Sequence, residues 1–209
     1  MSDETTWSDY YEENEGRQPR EMLLEVLDRF TAPGDAVDLG CGSGIETLAM
    51  LQRGWRVFAT DAEDEAIERL RARVPPDLAD RLRTSVSPME DVDLPAADLL
   101  QAGFSLFFCQ PERFADVWGK IGRSLSVGGT FVGQVLGERD TWAPQDDISS
   151  FSELEARALF DGWTIARFDE EDEDGDALSG PKHWHVFHVV ARAPTGSADV
   201  PGARTVPDG

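Results

Sequence analysis

The run Ala36-Val37-Asp38-Leu39-Gly40-Cys41-Gly42-Ser43-Gly44 leaves this chain few folds to choose from. A short apolar strand pattern breaks into a turn with glycine at every second position. A helical pattern opens directly behind it through Ile45, Leu48, Ala49 and Leu51 and closes on Gly54. Strand, glycine turn and helix in so little chain read as the first crossover of an α/β sheet. Glycine leaves no side chain between the backbone and a bound molecule, and the first turn of the helix offers free N–H groups to it. The next strand pattern, Trp55 to Thr60, ends in Asp61, about 20 residues past the glycines, where a nucleotide-binding fold places the acid that holds ribose hydroxyls.

The glycines are spaced G-x-G-x-G and are followed by Ile45, Glu46 and Thr47, with no further glycine to bring the helix against a pyrophosphate. Asp38, just ahead of them, would repel a phosphate and attract an ammonium or a sulfonium. Val37 to Gly44 resembles the first motif of the class I S-adenosylmethionine-dependent methyltransferases. The likeness extends to the tellurite-resistance-like branch of these enzymes from Trp7 to Ala193. It is carried by Gly16-Arg17-Gln18-Pro19-Arg20, Gly54-Trp55-Arg56-Val57, Gly137-Glu138-Arg139-Asp140-Thr141-Trp142 and Lys182-His183-Trp184-His185-Val186-Phe187.

The resemblance implies an α/β, Rossmann-like fold with a mainly parallel seven-stranded sheet and one antiparallel strand. It implies S-adenosyl-L-methionine as cofactor and methyl transfer to a small-molecule acceptor. Arg17 would reach the cofactor carboxylate, since a guanidinium pairs with it bidentately. Gly40, Cys41, Gly42 and Gly44, with Asp38 behind them, would hold the methionine portion. Asp61, with Ala62, would take the ribose, and Met89 and Glu90 the adenine. Gln101 falls at the carboxyl end of the fourth strand, on the edge where open α/β sheets bind ligands. A protein acceptor, or a module that binds S-adenosylmethionine without transfer, stays open beside this reading.

The rest of the chain supplies the alternation such a sheet needs. Met22, Leu23, Val26, Leu27 and Phe30 share one helical face behind Pro19. Glu63 to Arg73 is a helix with acids early and arginines late, stopped by Pro75-Pro76. Arg83 to Ser87 is a third strand and Ala97 to Phe104 a fourth, running into an apolar loop at Phe107, Phe108 and Cys109. Pro111 opens a helix whose Phe114, Val117, Trp118, Ile121 and Leu125 form one stripe, and Thr130 to Leu136 is the fifth strand. Ser152-Glu153-Leu154-Glu155 has the capping-box pattern, for a helix to about Phe160. Trp163 to Phe168 and His185 to Ala193 are the last strands, joined through the acidic run 169–176 in a hairpin that makes the final strand antiparallel. The domain is expected at 17–193, with 1–16 a flexible or lid-forming segment and 194–209 a disordered tail.

Charge and cysteine content exclude several alternatives. A net charge of -22 argues against nucleic acid or an anionic membrane as partner. No apolar run is long enough to span a bilayer and the first residues are polar, so a cytoplasmic location is expected. A surface this acidic, with Lys120 and Lys182 its only lysines, suits a salt-rich cytoplasm. Cys41 and Cys109 form no C-x-x-C pair, and no metal site is expected. Aligning Gly175 with the glycine of a calcium loop puts Glu170 first and Pro181 last, which fails the ligand pattern. His183, His185 and His188 share a strand pattern but read as ordinary strand residues, with His188 turned to the packed interior. Acceptor chemistry is expected at the mouth formed by the loop after strand five and the start of the last strand. His183 is the candidate general base there, and Arg139 its companion.

Overall fold

Alternation along β1, Asp35–Leu39, sends Val37 and Leu39 to one face of a sheet and Ala36 to the other, and each face acquires its own core. The computed structural model describes residues 6–14, 16–178 and 180–195. On one face, Ala36, Val57, Ala59, Leu99 and Val190 pack against α2 (Glu21–Leu27), α3 (Ile45–Gln52) and α4 (Asp64–Arg73) through Leu23, Val26, Met50, Leu51, Ile67 and Leu70. On the other, Val37, Leu39, Leu100, Phe131, Val135 and Phe187 meet Phe114, Val117 and Ile121 of α5 (Pro111–Ser124) and Ala156 of α6 (Glu153–Ala158). Removing each such Val, Leu, Ile, Met or Phe side chain from water stabilises the fold by about 1.5–3 kcal/mol. Ser152 caps α6 as its sequence pattern requires: its hydroxyl accepts from the Glu155 N–H, and the Glu155 carboxylate accepts from the Ser152 N–H.

The remaining strands are β2 (Arg56–Asp61), β3 (Leu82–Val86), β4 (Ala97–Ala102), β5 (Leu125–Gly137), β6 (Ser150–Phe151), β7 (Thr164–Ala177) and β8 (Gly180–Arg192). The sheet order is β3-β2-β1-β4-β5-β8-β7, with β6 paired to the end of β5. The strand pairs before β8 are parallel, and β8 is antiparallel to both of its neighbours. This is the expected Rossmann-like sheet with one antiparallel strand; the two-residue β6 is an addition to the expected seven.

Three expectations change. The acidic run 169–176 is strand, not connecting loop: β7 continues to Ala177 and pairs residue by residue with β8, Asp172 opposite His185, Asp174 opposite His183 and Gly175 opposite Lys182. Read alone, eight acidic and glycine residues look like solvated loop; facing His183, His185 and Arg139 they become half of a ladder. The charges also blunt β7 as an edge strand. Second, the acidic, aromatic start of the chain is a helix, α1 (Trp7–Glu13), opened by a reciprocal cap between Thr6 and Asp9, with Tyr11 buried. Third, Pro19 stands ahead of α2, whose N-cap is Arg20. The expected disordered tail from residue 196 onward, and residues 1–5, lie outside the described residues. Among the described residues no helix is long and apolar enough to cross a membrane.

Candidate active site

The turn between β1 and α3 is built from glycines because its backbone and its neighbours allow nothing larger. Gly40 and Gly44 have φ of 74° and 82°. A Cβ on Gly40 would fall 2.4 Å from the Ser105 Cβ, and one on Gly44 would fall 2.3 Å from Leu70 Cδ1. The turn is tied to the tip of β2, since the Gly40 and Cys41 N–H groups both donate to the Thr60 carbonyl. Next to it the Gly42 N–H donates to Asp61 Oδ2 at 2.8 Å, and the Glu63 N–H donates to Asp61 Oδ1 at 3.1 Å. Burial raises the Asp61 pKa, and these backbone donors oppose the rise.

A cavity of about 760 Å³ opens above this turn, within the usual size of a small-molecule site. Its lining includes Arg17, Gly40, Cys41, Gly42, Asp61, Ala62, Met89 and Glu90 among the residues expected from sequence. The Glu90 carboxylate accepts from the Gln110 N–H at 3.0 Å. Burial pushes the Cys41 thiol pKa well up, so it stands there as an uncharged wall.

Asp38, Gly44 and Gln101 stand elsewhere. Asp38 is buried beneath the turn, where its Oδ2 accepts from the Thr47 hydroxyl at 2.5 Å. It serves the turn from below and does not line the cavity, and burial pushes its carboxyl up to about 7. Gly44 packs on Leu70, and Gln101 lies behind Gly103. His183 and Arg139 also stand away from the cavity lining. The His183 ring sits between Asp172 and Asp174, 2.8 Å from each, and the two carboxylates raise its pKa. The Arg139 guanidinium spans Glu170 and Asp172. Glu170, Asp172 and His185 converge closely enough to suggest a metal group. Both His185 ring nitrogens are engaged, however: Nδ1 accepts from the Arg139 N–H, leaving Nε2 to donate to Glu170.

At one end the cavity is basic. Arg17 donates to both oxygens of the buried Glu46, and Arg20 lies 3.8 Å from the same carboxylate with its guanidinium 4.3 Å over the Phe104 ring. Arg17 Nε, Arg20 Nε and Gln101 Oε1 are buried without a hydrogen-bond partner. Arg20 went unassigned in the sequence, although it closes the same Gly16-to-Arg20 stretch as Arg17.

The rest of the wall is aromatic. Trp7, Tyr10 and Tyr11 come from α1, Phe104, Phe107 and Phe108 from the segment after β4, Trp142 from the loop after β5 and Trp184 from β8. Phe104 holds a φ of 55°, alone among the described non-glycine residues in the left-handed region. Its N–H donates to Gln134 Oε1 at 3.1 Å, which anchors that conformation. Lys182 is sandwiched between Trp142 and Trp184, 4.1 Å from each ring, and forms a buried ion pair with Asp140. His188 is not turned into a packed interior: it lies beside Phe104, half-buried, and bonds to Glu171, a cavity residue. Glu171 and Asp176 escaped the sequence reading because they lie in the run taken for a loop.

A sheet in this order, with the glycine turn leaving β1 and an acid at the tip of β2, is the architecture of the class I S-adenosylmethionine-dependent methyltransferases. Residues 37–133 match the family described as "Methyltransferase domain". Over 110 residues it is 29% identical to magnesium-protoporphyrin O-methyltransferase of Rhodobacter capsulatus, covering 52% of this chain and 49% of that one, so it spans about half the length of this curated relative. Among solved structures it is similar to TehB from Haemophilus influenzae, with a TM-score of 0.73, 15% identity and coverage of 89% of this chain and 66% of that one. It is also similar to the Burkholderia thailandensis 1,6-didemethyltoxoflavin-N1-methyltransferase with bound 1,6-didemethyltoxoflavin and S-adenosylhomocysteine, with a TM-score of 0.66, 20% identity and coverage of 90% and 87%. At these identities the structural likeness is one of fold.

Proposed function

We propose that the chain transfers a methyl group from S-adenosylmethionine to a small-molecule acceptor. The observation that carries this reading is the cavity itself. It lies at the carboxyl edge of the parallel strands, with the glycine turn and Asp61 on its floor and the Arg17 and Arg20 guanidinium groups and a set of aromatic rings in its walls. The residues fit the cofactor: the Arg17 and Arg20 guanidinium groups suit its carboxylate, Asp61 its ribose hydroxyls, and Met89 with Glu90 its adenine. Arg20 joins Arg17 in this role. Gly42 leaves open space toward the cavity, since a Cβ there would meet only Tyr11, at 3.7 Å.

When bound, S-adenosylmethionine supplies a methyl group already activated on a sulfonium. The protein's part is then to align an acceptor and to exclude water. The rings of Trp7, Tyr10 and Tyr11 close one side of the cavity, and α1 is proposed as a lid. The curated relative is named for a small-molecule acceptor, and the Burkholderia structure holds one, which supports a small molecule over a protein. Buried, unpaired Cys41 and Cys109 suit the proposed cytoplasmic location.

Calorimetry with S-adenosylmethionine and S-adenosylhomocysteine tests the reading. Both should bind, and Asp61→Ala should weaken binding by about 1–3 kcal/mol by leaving ribose hydroxyls without a charged acceptor. A metabolite screen with isotopically labelled cofactor should then show label in a small molecule. No saturable heat with either ligand, or tight binding of NAD instead, would overturn the proposal. Binding with no transfer to any metabolite would make the chain a non-catalytic binding module.

A further inference from the structure

The aromatic part of the cavity, which reaches the basic end where Arg20 lies over Phe104, is specific enough to describe what it takes. Its rings follow one another as a continuous wall: Trp7 to Phe108 at 5.1 Å, Phe108 to Phe107 at 4.6 Å, Phe107 to Trp142 at 6.0 Å, Trp142 to Trp184 at 5.7 Å and Trp184 to Phe104 at 6.0 Å. The wall is braced from outside. The buried Lys182 ammonium, tied to Asp140, holds Trp142 and Trp184 by cation–π contact, and the Phe104 backbone is anchored on Gln134. Rings fixed in this way favour a flat, unsaturated guest over a flexible aliphatic one.

A relay of hydrogen bonds leads from that wall to one carboxylate. The Phe104 N–H donates to Gln134 Oε1, Gln134 Nε2 lies 3.3 Å from His188 Nδ1, and His188 Nε2 lies 2.8 Å from Glu171 Oε2. The order of donors follows from its first member: Gln134 accepts through its oxygen, so its amide nitrogen donates to His188 Nδ1, and His188 Nε2–H is left to donate to Glu171. The relay therefore ends in an accepting carboxylate on the cavity lining. A carboxylate in that position takes a hydrogen bond from a guest and gives none.

The charge of the cavity points the same way. Glu13, Asp61, Glu63, Glu90, Glu171 and Asp176 line it, against two guanidinium groups, those of Arg17 and Arg20, which already share Glu46. An anionic guest would be repelled, while a neutral or cationic one would gain from both the rings and the carboxylates.

We propose that the acceptor is a flat aromatic molecule, neutral or cationic, whose N–H or O–H donates to Glu171, and that Glu171 selects it over aromatic anions. His188 and Gln134 act as positioning residues for that carboxylate. The proposal rests on the methyl-transfer reading for the role of the guest, but its recognition is separately measurable. The full chain is first titrated with S-adenosylhomocysteine by calorimetry. The saturated protein is then titrated with tryptamine, indole-3-acetate and 2-cyclohexylethylamine, which vary charge and aromaticity separately. Tryptamine should bind at least about tenfold more tightly than either of the others. Glu171→Gln should remove about tenfold of the tryptamine affinity without weakening indole-3-acetate. Glu153→Gln, an equal change of charge on α6 outside the cavity, should leave the preference intact. Failure of S-adenosylhomocysteine to bind would overturn the methyl-transfer reading. If it binds, any of four results would overturn the acceptor assignment alone: indole-3-acetate or 2-cyclohexylethylamine binding as tightly as tryptamine, no saturable tryptamine binding, no effect of Glu171→Gln, or an equal effect of Glu153→Gln.

Discussion

Alanine placed at Gly42 and at Gly44, two residues apart in one turn, should separate ligand approach from backbone fit. At Gly44 the φ of 82° costs an alanine about 1–2 kcal/mol. Its Cβ would also lie 2.3 Å from Leu70 Cδ1 and 2.9 Å from Leu70 Cβ, and Leu70 is fully buried and cannot swing aside, which adds about 1–3 kcal/mol of overpacking. Together these give about 2–5 kcal/mol, or a Tm lower by about 4–20 °C in a domain of this size. At Gly42 the φ of 51° costs a similar strain, but the nearest atom to a Cβ is 3.7 Å away, so the loss stays near 1–2 kcal/mol, about 2–8 °C. The new methyl at Gly42 instead enters the cavity. Urea unfolding followed by circular dichroism gives the stabilities, and calorimetry with S-adenosylhomocysteine gives the affinities. Gly42→Ala should remain folded and lose more than about tenfold in affinity, while Gly44→Ala should be the less stable of the two. Unchanged affinity in Gly42→Ala, or a Gly44→Ala no less stable than Gly42→Ala, would refute the argument that one glycine serves the ligand and the other the packing.

Lys182→Met leaves the Asp140 carboxylate buried without its cation and should cost about 3–5 kcal/mol in urea unfolding, whereas Lys182→Met with Asp140→Asn, which removes the charge and keeps an acceptor for the Trp142 and His185 N–H groups, should recover part of that loss. His183, held by Asp174 and Asp172, should titrate by NMR above the usual histidine value, and Asp174→Asn should bring it down. Because its folded value lies above the unfolded one, that contact contributes stability at low pH and loses it as pH rises through the folded value. Asp38 has the opposite origin but the same sign: burial holds its carboxyl up at about 7 while the unfolded chain ionises near 3.9, so stability should fall between those values by at most about 4 kcal/mol. Asp38→Asn should flatten that slope in urea midpoints measured from pH 4 to 8, and parallel slopes would show that Asp38 is not the group responsible.

The parallel half of the sheet was legible because its signals are local. Val37 and Leu39 alternate with Ala36 on one short strand, and glycine and proline punctuate each crossover, so the succession of strands and helices follows from residues near one another in sequence. The extension of the closing hairpin through the acidic run was not legible on those terms. Asp172 and Asp174 are poor strand formers taken singly, and the groups that make them strand residues, His183, His185 and Arg139, arrive from other segments. The same blindness affected α1, where a reciprocal cap between Thr6 and Asp9 was present in the sequence but acidic composition outweighed it.

The two halves of the cavity differ in the same way, and the difference bears on how such a protein changes its acceptor. The floor comes from contiguous chain, Gly40 to Gly44, and from strand tips that the register fixes next to it, so Asp61 cannot move without breaking its bond to the Gly42 N–H. The aromatic wall comes from four segments far apart in sequence: α1, the stretch after β4, the loop after β5 and the start of β8. A substitution there alters which guest fits while leaving the backbone ladder of the sheet in place. Lys182 and Gln134 are the exceptions, because each holds wall residues from more than one segment: Lys182 braces both tryptophans, and Gln134 ties Phe104 to His188. Changes at these two positions should therefore disturb the whole acceptor half together, whereas changes at Trp7 or Phe108 should retune it one ring at a time.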